Sequence, residues 1–171
     1  MSFQEKIERF NRMYLLPVAT KPSLDQLGIS AIQRLRDFKN ILLEEIIELD
    51  PIIEKLENNL SPEKIQYKEL EILTDLADLL GDIQVYCASE MAKFGLPQDQ
   101  VLEVIMDSNF SKLGADGQPI YDERGKVQKG PGYWKPEPRI SQLLVLGLLT
   151  PGLREAADLL RDHNRNIGGH P

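Results

Sequence analysis

Leu42-Leu43-Glu44-Glu45-Ile46-Ile47-Glu48-Leu49-Asp50-Pro51, and later Asp75-Leu76-Ala77-Asp78-Leu79-Leu80-Gly81-Asp82, are the stretches on which the reading of this chain turns. Both are apolar at helical spacing, and both carry acids three residues apart. At about 100° per residue with Glu45 at zero, Phe38, Leu49, Leu42, Leu35 and Ile46 fall on one side within roughly 100°. Ile41 and Ile52 fall on the other side within roughly 40°. Glu45 therefore lies inside the apolar arc of its helix, Glu48 at the arc's edge and Glu44 further out. On the second helix Glu71, Asp75, Asp78 and Asp82 share one face. That stripe borders the arc of Tyr86, Leu79, Ile72, Ile83 and Leu76. Two helices thus each bring carboxylates to the margin of a core face.

A charged stripe is ordinarily a solvated face. Two features argue against that here. The neighbours at helical spacing are of like sign: Asp75 has Glu71 and Asp78, Asp78 has Asp82, and Glu48 has Glu44 and Glu45. No Lys or Arg stands three or four residues from Glu45, Glu48, Asp75 or Asp78, and each like-charge pair costs about 0.2–0.5 kcal/mol even when exposed. Glu45 also points to the buried side, where an unpaired carboxylate is far more costly. A divalent cation between the helices relieves both problems. A partner such as Arg34 or Arg36 relieves the second, and so does a protonated Glu45 in a plain core. Four carboxylates without His or Cys suit a hard cation, Mg²⁺ first and Mn²⁺ next.

The surrounding chain predicts an all-α fold of bundle type. Phe3, Ile7, Phe10 and Tyr14 give a short helix over 2–14, closed by Pro17 and Pro22. Ser30 with Gln33 resembles a capping box for the helix that carries Glu45, and Asp50-Pro51 is expected to break it. Ser61-Pro62 starts the next helix, which Gly95 and Pro97 stop. A further helix runs from Val101 toward Lys112. Residues 114–138 are rich in Gly and Pro and read as a loop, with a small hairpin around Gly125. Thr150-Pro151 caps a short helix through Leu153, Ala157 and Leu160. The division expected is a core domain over 1–138 and a C-terminal extension over 139–171.

Composition excludes several classes. The chain has 171 residues, with 20 Lys and Arg against 27 Asp and Glu, for a net charge of −7. A binder of nucleic-acid polymers needs a basic footprint that this chain lacks. A single cysteine, Cys87, rules out a disulfide framework or a cysteine-rich zinc site, and it falls on an apolar arc. The two histidines, His163 and His170, stand near the C-terminus, so the Glu-x-x-His pairs of a di-iron bundle are missing. No phosphate-binding loop, nucleophile elbow or His-Glu-x-x-His is present. The first residues lack the apolar core of a signal peptide, and the longest apolar run, Leu143 to Leu149, is too short to span a bilayer. No membrane partner and a cytoplasmic location are expected.

Glu45-x-x-Glu48 followed by Asp75-x-x-Asp78 resembles the signature of the all-α nucleoside triphosphate pyrophosphohydrolases, the MazG-like superfamily that includes dimeric dUTPases and phosphoribosyl-ATP pyrophosphohydrolase. The second motif is usually Glu-x-x-Asp, so Asp75 is one methylene short. The likeness extends to Phe10-Asn11, Leu16-Pro17-Val18 and Lys21-Pro22, to Ser108-Asn109-Phe110-Ser111-Lys112-Leu113-Gly114, to Asp116-Gly117-Gln118-Pro119-Ile120-Tyr121, and to Lys126-Val127-Gln128-Lys129-Gly130-Pro131-Gly132-Tyr133. It covers roughly residues 3–138, in order. It implies Mg²⁺-dependent hydrolysis of a nucleoside triphosphate between the α and β phosphorus atoms. Glu45, Glu48, Asp75 and Asp78 would hold the metal, and Glu44 and Glu48 would serve catalysis. Asn109 and Lys112 match the phosphate-contacting pair. Lys129 from the loop could join them, while Tyr133 and Trp134 could stack on a base or simply pack. The rival readings are phosphoribosyl-ATP hydrolysis and a non-catalytic helical interaction module. A homodimer or homotetramer is expected, because one chain offers few long helices to cover two wide apolar faces. Phe3 to Tyr14 and the arc around Leu35 and Phe38 could supply that surface.

Overall fold

The computed structural model describes residues 1–24, 31–59 and 61–148, and for 62–67 the backbone alone. The expected Ser30 cap, the helix from Thr150, and both histidines lie outside the described residues. Among those described the fold is all-α. The order is α1 Phe3–Met13, α2 Ala31–Ile47, α3 Leu49–Glu57, α4 Pro62–Lys93, α5 Gln98–Phe110 and α6 Glu137–Leu148.

The chain divides into two compact units. The first comprises Met1–Ala19 and Ser23–Gly95, the second Thr20–Pro22 and Leu96–Pro171. In the first unit α4 is the spine. Its 32 residues extend about 48 Å, and α1, α2 and α3 all pack on it. Pro62 takes the first helical position after the cap Ser61, where its missing N–H is no loss. Gly95, at φ +65°, follows the last turn, as the sequence predicts. Ile7 of α1 joins Ala88 and Ala92 in one core cluster, with Val85 packed against it. Ile52 of α3 joins Ile72 and Leu79 in a second, with Leu49 and Ile83 alongside. The segment after α1 also closes on the spine: the Ala19 and Ser23 amides donate to the Ala92 and Phe94 carbonyls at 3.0 and 3.1 Å. At the other end of α1, Ser2 and Glu5 form a reciprocal capping box.

The break between α2 and α3 falls at Glu48, earlier than the expected Asp50-Pro51. Pro51 is the third residue of α3. A proline ring collides with the carbonyl four residues before it, here that of Ile47, the last residue of α2. The Glu48 amide instead bonds the Glu45 carbonyl at 3.1 Å, three residues back.

In the second unit α5 packs with α6, a helix that sequence reasoning did not place. Between them the loop is tied by backbone to the turn that follows α5. The Gly130 amide donates to the Lys112 carbonyl at 2.9 Å. The expected hairpin around Gly125 is a single antiparallel bridge, Tyr121 to Val127, closed by the Asp122 carboxylate, which accepts from the Arg124 and Lys126 amides at 3.0 and 2.8 Å. No described helix is long and apolar enough to cross a membrane.

Candidate functional site

Glu45 sits where the arc placed it. Its residue is only 8% exposed, on the third-last position of α2. Burial is the largest influence on its carboxyl, and the charges of Glu48, Asp82 and Glu44 add to it, so its pKa stands above the usual glutamate range. A hydrogen bond with the Tyr86 hydroxyl pulls the other way without overcoming them. The Tyr86 phenol is raised in turn, by burial first and then by Glu45 and Asp82. Glu44 and Glu48 are exposed at the rim.

Sequence reasoning placed Asp82 on the acidic stripe but assigned it no role, and Tyr86 was read as core. The structure sets both beside Glu45. Their signal was available, since Asp78, Asp82 and Tyr86 follow one another at intervals of four on α4.

The other two predicted acids have different surroundings. Asp75 is half-buried and takes a hydrogen bond from the Lys55 ammonium. The same ammonium lies 3.1 Å from Glu71 Oε1, and Lys68 reaches Glu71 Oε2 at 2.7 Å. The absence of a basic residue at helical spacing is thus made good for Asp75 by a lysine from α3. Asp78 is exposed and lines a shallow depression of about 500 Å³ with Leu70, Leu73, Thr74 and Ala77. Neither arginine considered as a partner for Glu45 serves it. Arg34 pairs with Glu90, Nε to Oε1 at 3.2 Å, and Arg36 is exposed.

Among the described residues no three Asp, Glu, His or Cys side chains stand close enough to hold a metal ion. The charged groups that act on the buried Glu45 carboxyl, Glu48, Asp82 and Glu44, are all acids. Cys87 is half-buried, and burial raises its thiol pKa, which suits packing and not a nucleophile.

In the second unit the predicted substrate residues form two local pairs. Lys112 Nζ donates to Asn109 Oδ1 at 2.7 Å, one turn apart at the end of α5. Lys129 Nζ lies 4.6 Å from the centre of the Tyr133 ring. Trp134 is committed to packing: Arg139 covers its ring at 3.6 Å, its carbonyl accepts from Ser108 Oγ at 2.8 Å, and its amide donates to Ser111 Oγ.

No protein-family model matches this chain, and no curated protein matches it either. Among solved structures, a protein from Exiguobacterium sp. 255-15 whose name reads "putative NTP pyrophosphohydrolase" aligns over 84% of this chain and 95% of its own, at 23% identity and a TM-score of 0.44.

Proposed function

We propose that this chain is a Mg²⁺-dependent nucleoside triphosphate pyrophosphohydrolase that releases a nucleoside monophosphate and pyrophosphate, in a nucleotide-pool role in the cytoplasm. The observation that carries the reading is the buried Glu45 carboxyl with acids as its charged neighbours. A protein that needed only stability would place a cation or an apolar side chain there. The acidic motif pair, with its resemblance to the all-α pyrophosphohydrolases, gives that arrangement a purpose.

Glu45, Glu48, Asp75 and Asp78 would hold the metal, with Mn²⁺ able to replace Mg²⁺. When bound, it would neutralise phosphate charge and lower the pKa of a water. Glu44, exposed beside Glu45, orients the attacking water and, with Glu48, takes its proton. The water oxygen bonds to the α phosphorus as the bridge to the β phosphorus breaks. Asn109 and Lys112 contact phosphate oxygens, Lys129 adds charge, and Tyr133 offers an aromatic face.

Exposed Phe3, Phe10, Leu35, Leu70, Leu73 and Leu80 support assembly as a homodimer or homotetramer. A light-scattering mass equal to one chain would overturn that part.

The test is pyrophosphate release across canonical and modified nucleoside triphosphates, with Mg²⁺ and with EDTA. Metal-dependent release is expected, and it falls at least a hundredfold in Glu48→Gln and Asp78→Asn. A folded protein inactive on every nucleotide and on phosphoribosyl-ATP would overturn the reading in favour of an interaction module.

A further inference from the structure

The first half of α4 has three faces. With Ile72 at zero, Ile72, Leu79 and Ile83 lie within roughly 20° of that direction and pack against α3. Glu71, Asp75, Asp78 and Asp82 fall to one flank, at roughly 60° to 120°. Leu70, Leu73, Ala77, Leu80 and Gln84 fall to the other, at roughly 80° to 160°. All five are exposed, Leu70 by 78%, Leu73 by 53% and Leu80 by 48%.

The five residues alternate at intervals of three and four, the spacing of a coiled-coil seam. The depression on this face is lined by Leu70, Leu73, Thr74 and Ala77. Those positions, i, i+3, i+4 and i+7, are the four that make a hole for the knob of a facing helix. The seam also reads the same in both directions about a midpoint between Leu70 and Leu80. Leu70 stands opposite Leu80, the large Leu73 opposite the small Ala77, and in sequence Gln66 opposite Gln84. A two-fold contact between identical helices needs that symmetry, since each residue meets the other's partner twice. The seam holds no charged residue, so a chain of net charge −7 can approach a second copy there without repulsion at the contact.

We propose that this seam docks a second copy of the chain, α4 against α4 and antiparallel, with Leu70 of each protomer on Leu80 of the other. The inference rests on the homo-oligomer reading above and names its surface. The acidic stripe, on the opposite flank, stays open on both protomers.

Two experiments on the full chain test this. In the first, light scattering gives the mass of the parent and two variants, with folding checked by circular dichroism. Leu73→Glu is expected to halve the mass. Leu15→Glu, at a site 93% exposed off the seam, is expected to leave it unchanged. The second needs no loss of assembly. In a Cys87→Ser background, Leu70→Cys with Leu80→Cys is expected to form disulfide-linked dimers on mild oxidation. Either cysteine alone is not, because ten helical residues, about 15 Å, separate it from its own copy. Within one chain that same distance forbids the bond. A parent mass of two or more chains that persists in Leu73→Glu would overturn the seam and spare the oligomer. Failure of the double-cysteine variant to link would overturn the antiparallel pairing. A parent of one chain would remove the seam and the oligomer reading together.

Discussion

Two glutamates of the same unit are buried to nearly the same degree, Glu45 at 8% exposure and Glu90 at 6%, in opposite company. Glu90 lies between cations, with Lys93 Nζ at 3.0 Å and Arg34 Nε at 3.2 Å. Close by, Asn11 is fully buried and exchanges hydrogen bonds with Ser89, donating to its carbonyl and accepting from its hydroxyl. Glu45 lies among Glu48, Asp82 and Glu44, with one phenol to donate to it. Equal burial therefore has two meanings. At Glu90 the charge is compensated from within and ties α2 to the end of α4. At Glu45 it is uncompensated, and the carboxyl responds by favouring its neutral form.

The largest effect expected from breaking this contrast is at Glu90. Glu90→Ala strands two largely buried cations and should cost about 3–5 kcal/mol, read by urea unfolding. A loss under about 1 kcal/mol would show that Arg34 and Lys93 reach water without it. Asn11→Ala comes next. It leaves the Ser89 hydroxyl without its acceptor and should cost about 1–3 kcal/mol in the same assay.

Glu45→Gln should act with the opposite sign. Because the folded pKa is raised, the folded state holds more protons than the unfolded one. In EDTA, stability should therefore fall as pH rises from the ordinary glutamate range through the elevated folded value. The substitution should abolish that fall and stabilise the metal-free protein at neutral pH. It should also remove any Mg²⁺-induced rise in melting temperature. A parent whose EDTA stability is flat across that window would refute the assignment. The smallest effect belongs to Tyr86→Phe, which deletes one hydrogen bond to Glu45. It should shift the Glu45 titration further upward, visible by NMR of the carboxyl carbon.

Much of this contrast is legible in the sequence on one side only. The helical arc over Phe38 to Ile52 places Glu45 inward because amphipathic periodicity is a local property that folding preserves. The same holds for the start of α4 at Ser61-Pro62 and its stop at Gly95. The partners are not local. Lys55 and Asp75 are 20 residues apart, and Arg34 and Glu90 are 56 apart. A scan for opposite charges at helical spacing cannot register either pair. The break at Glu48 escaped for another reason, since a proline acts on the carbonyl four residues before it and not on its own position. The helix α6 was missed because Pro138 was counted with the Gly- and Pro-rich loop over 114–138, yet Pro138 falls in the first turn of the helix, where proline is tolerated. The Gly- and Pro-rich stretch before it was legible as a loop, and its bridge at Tyr121 and Val127 as a turn. Nothing in its composition signalled the tie from Gly130 to Lys112, in the turn after α5.

That tie has a consequence for the kinds of change the loop can absorb. A Cβ added at Gly130 would lie 1.8 Å from the Leu113 carbonyl oxygen and 2.5 Å from its carbon, both backbone atoms that cannot rotate aside. At Gly125 a Cβ would meet nothing within 4 Å, and only the φ of +75° is demanding, a value that asparagine and aspartate also visit. In a randomised library selected for solubility, position 125 should return Gly, Asn and Asp. Position 130 should return glycine alone, so a loop permissive along most of its length would still keep one position that drift cannot cross.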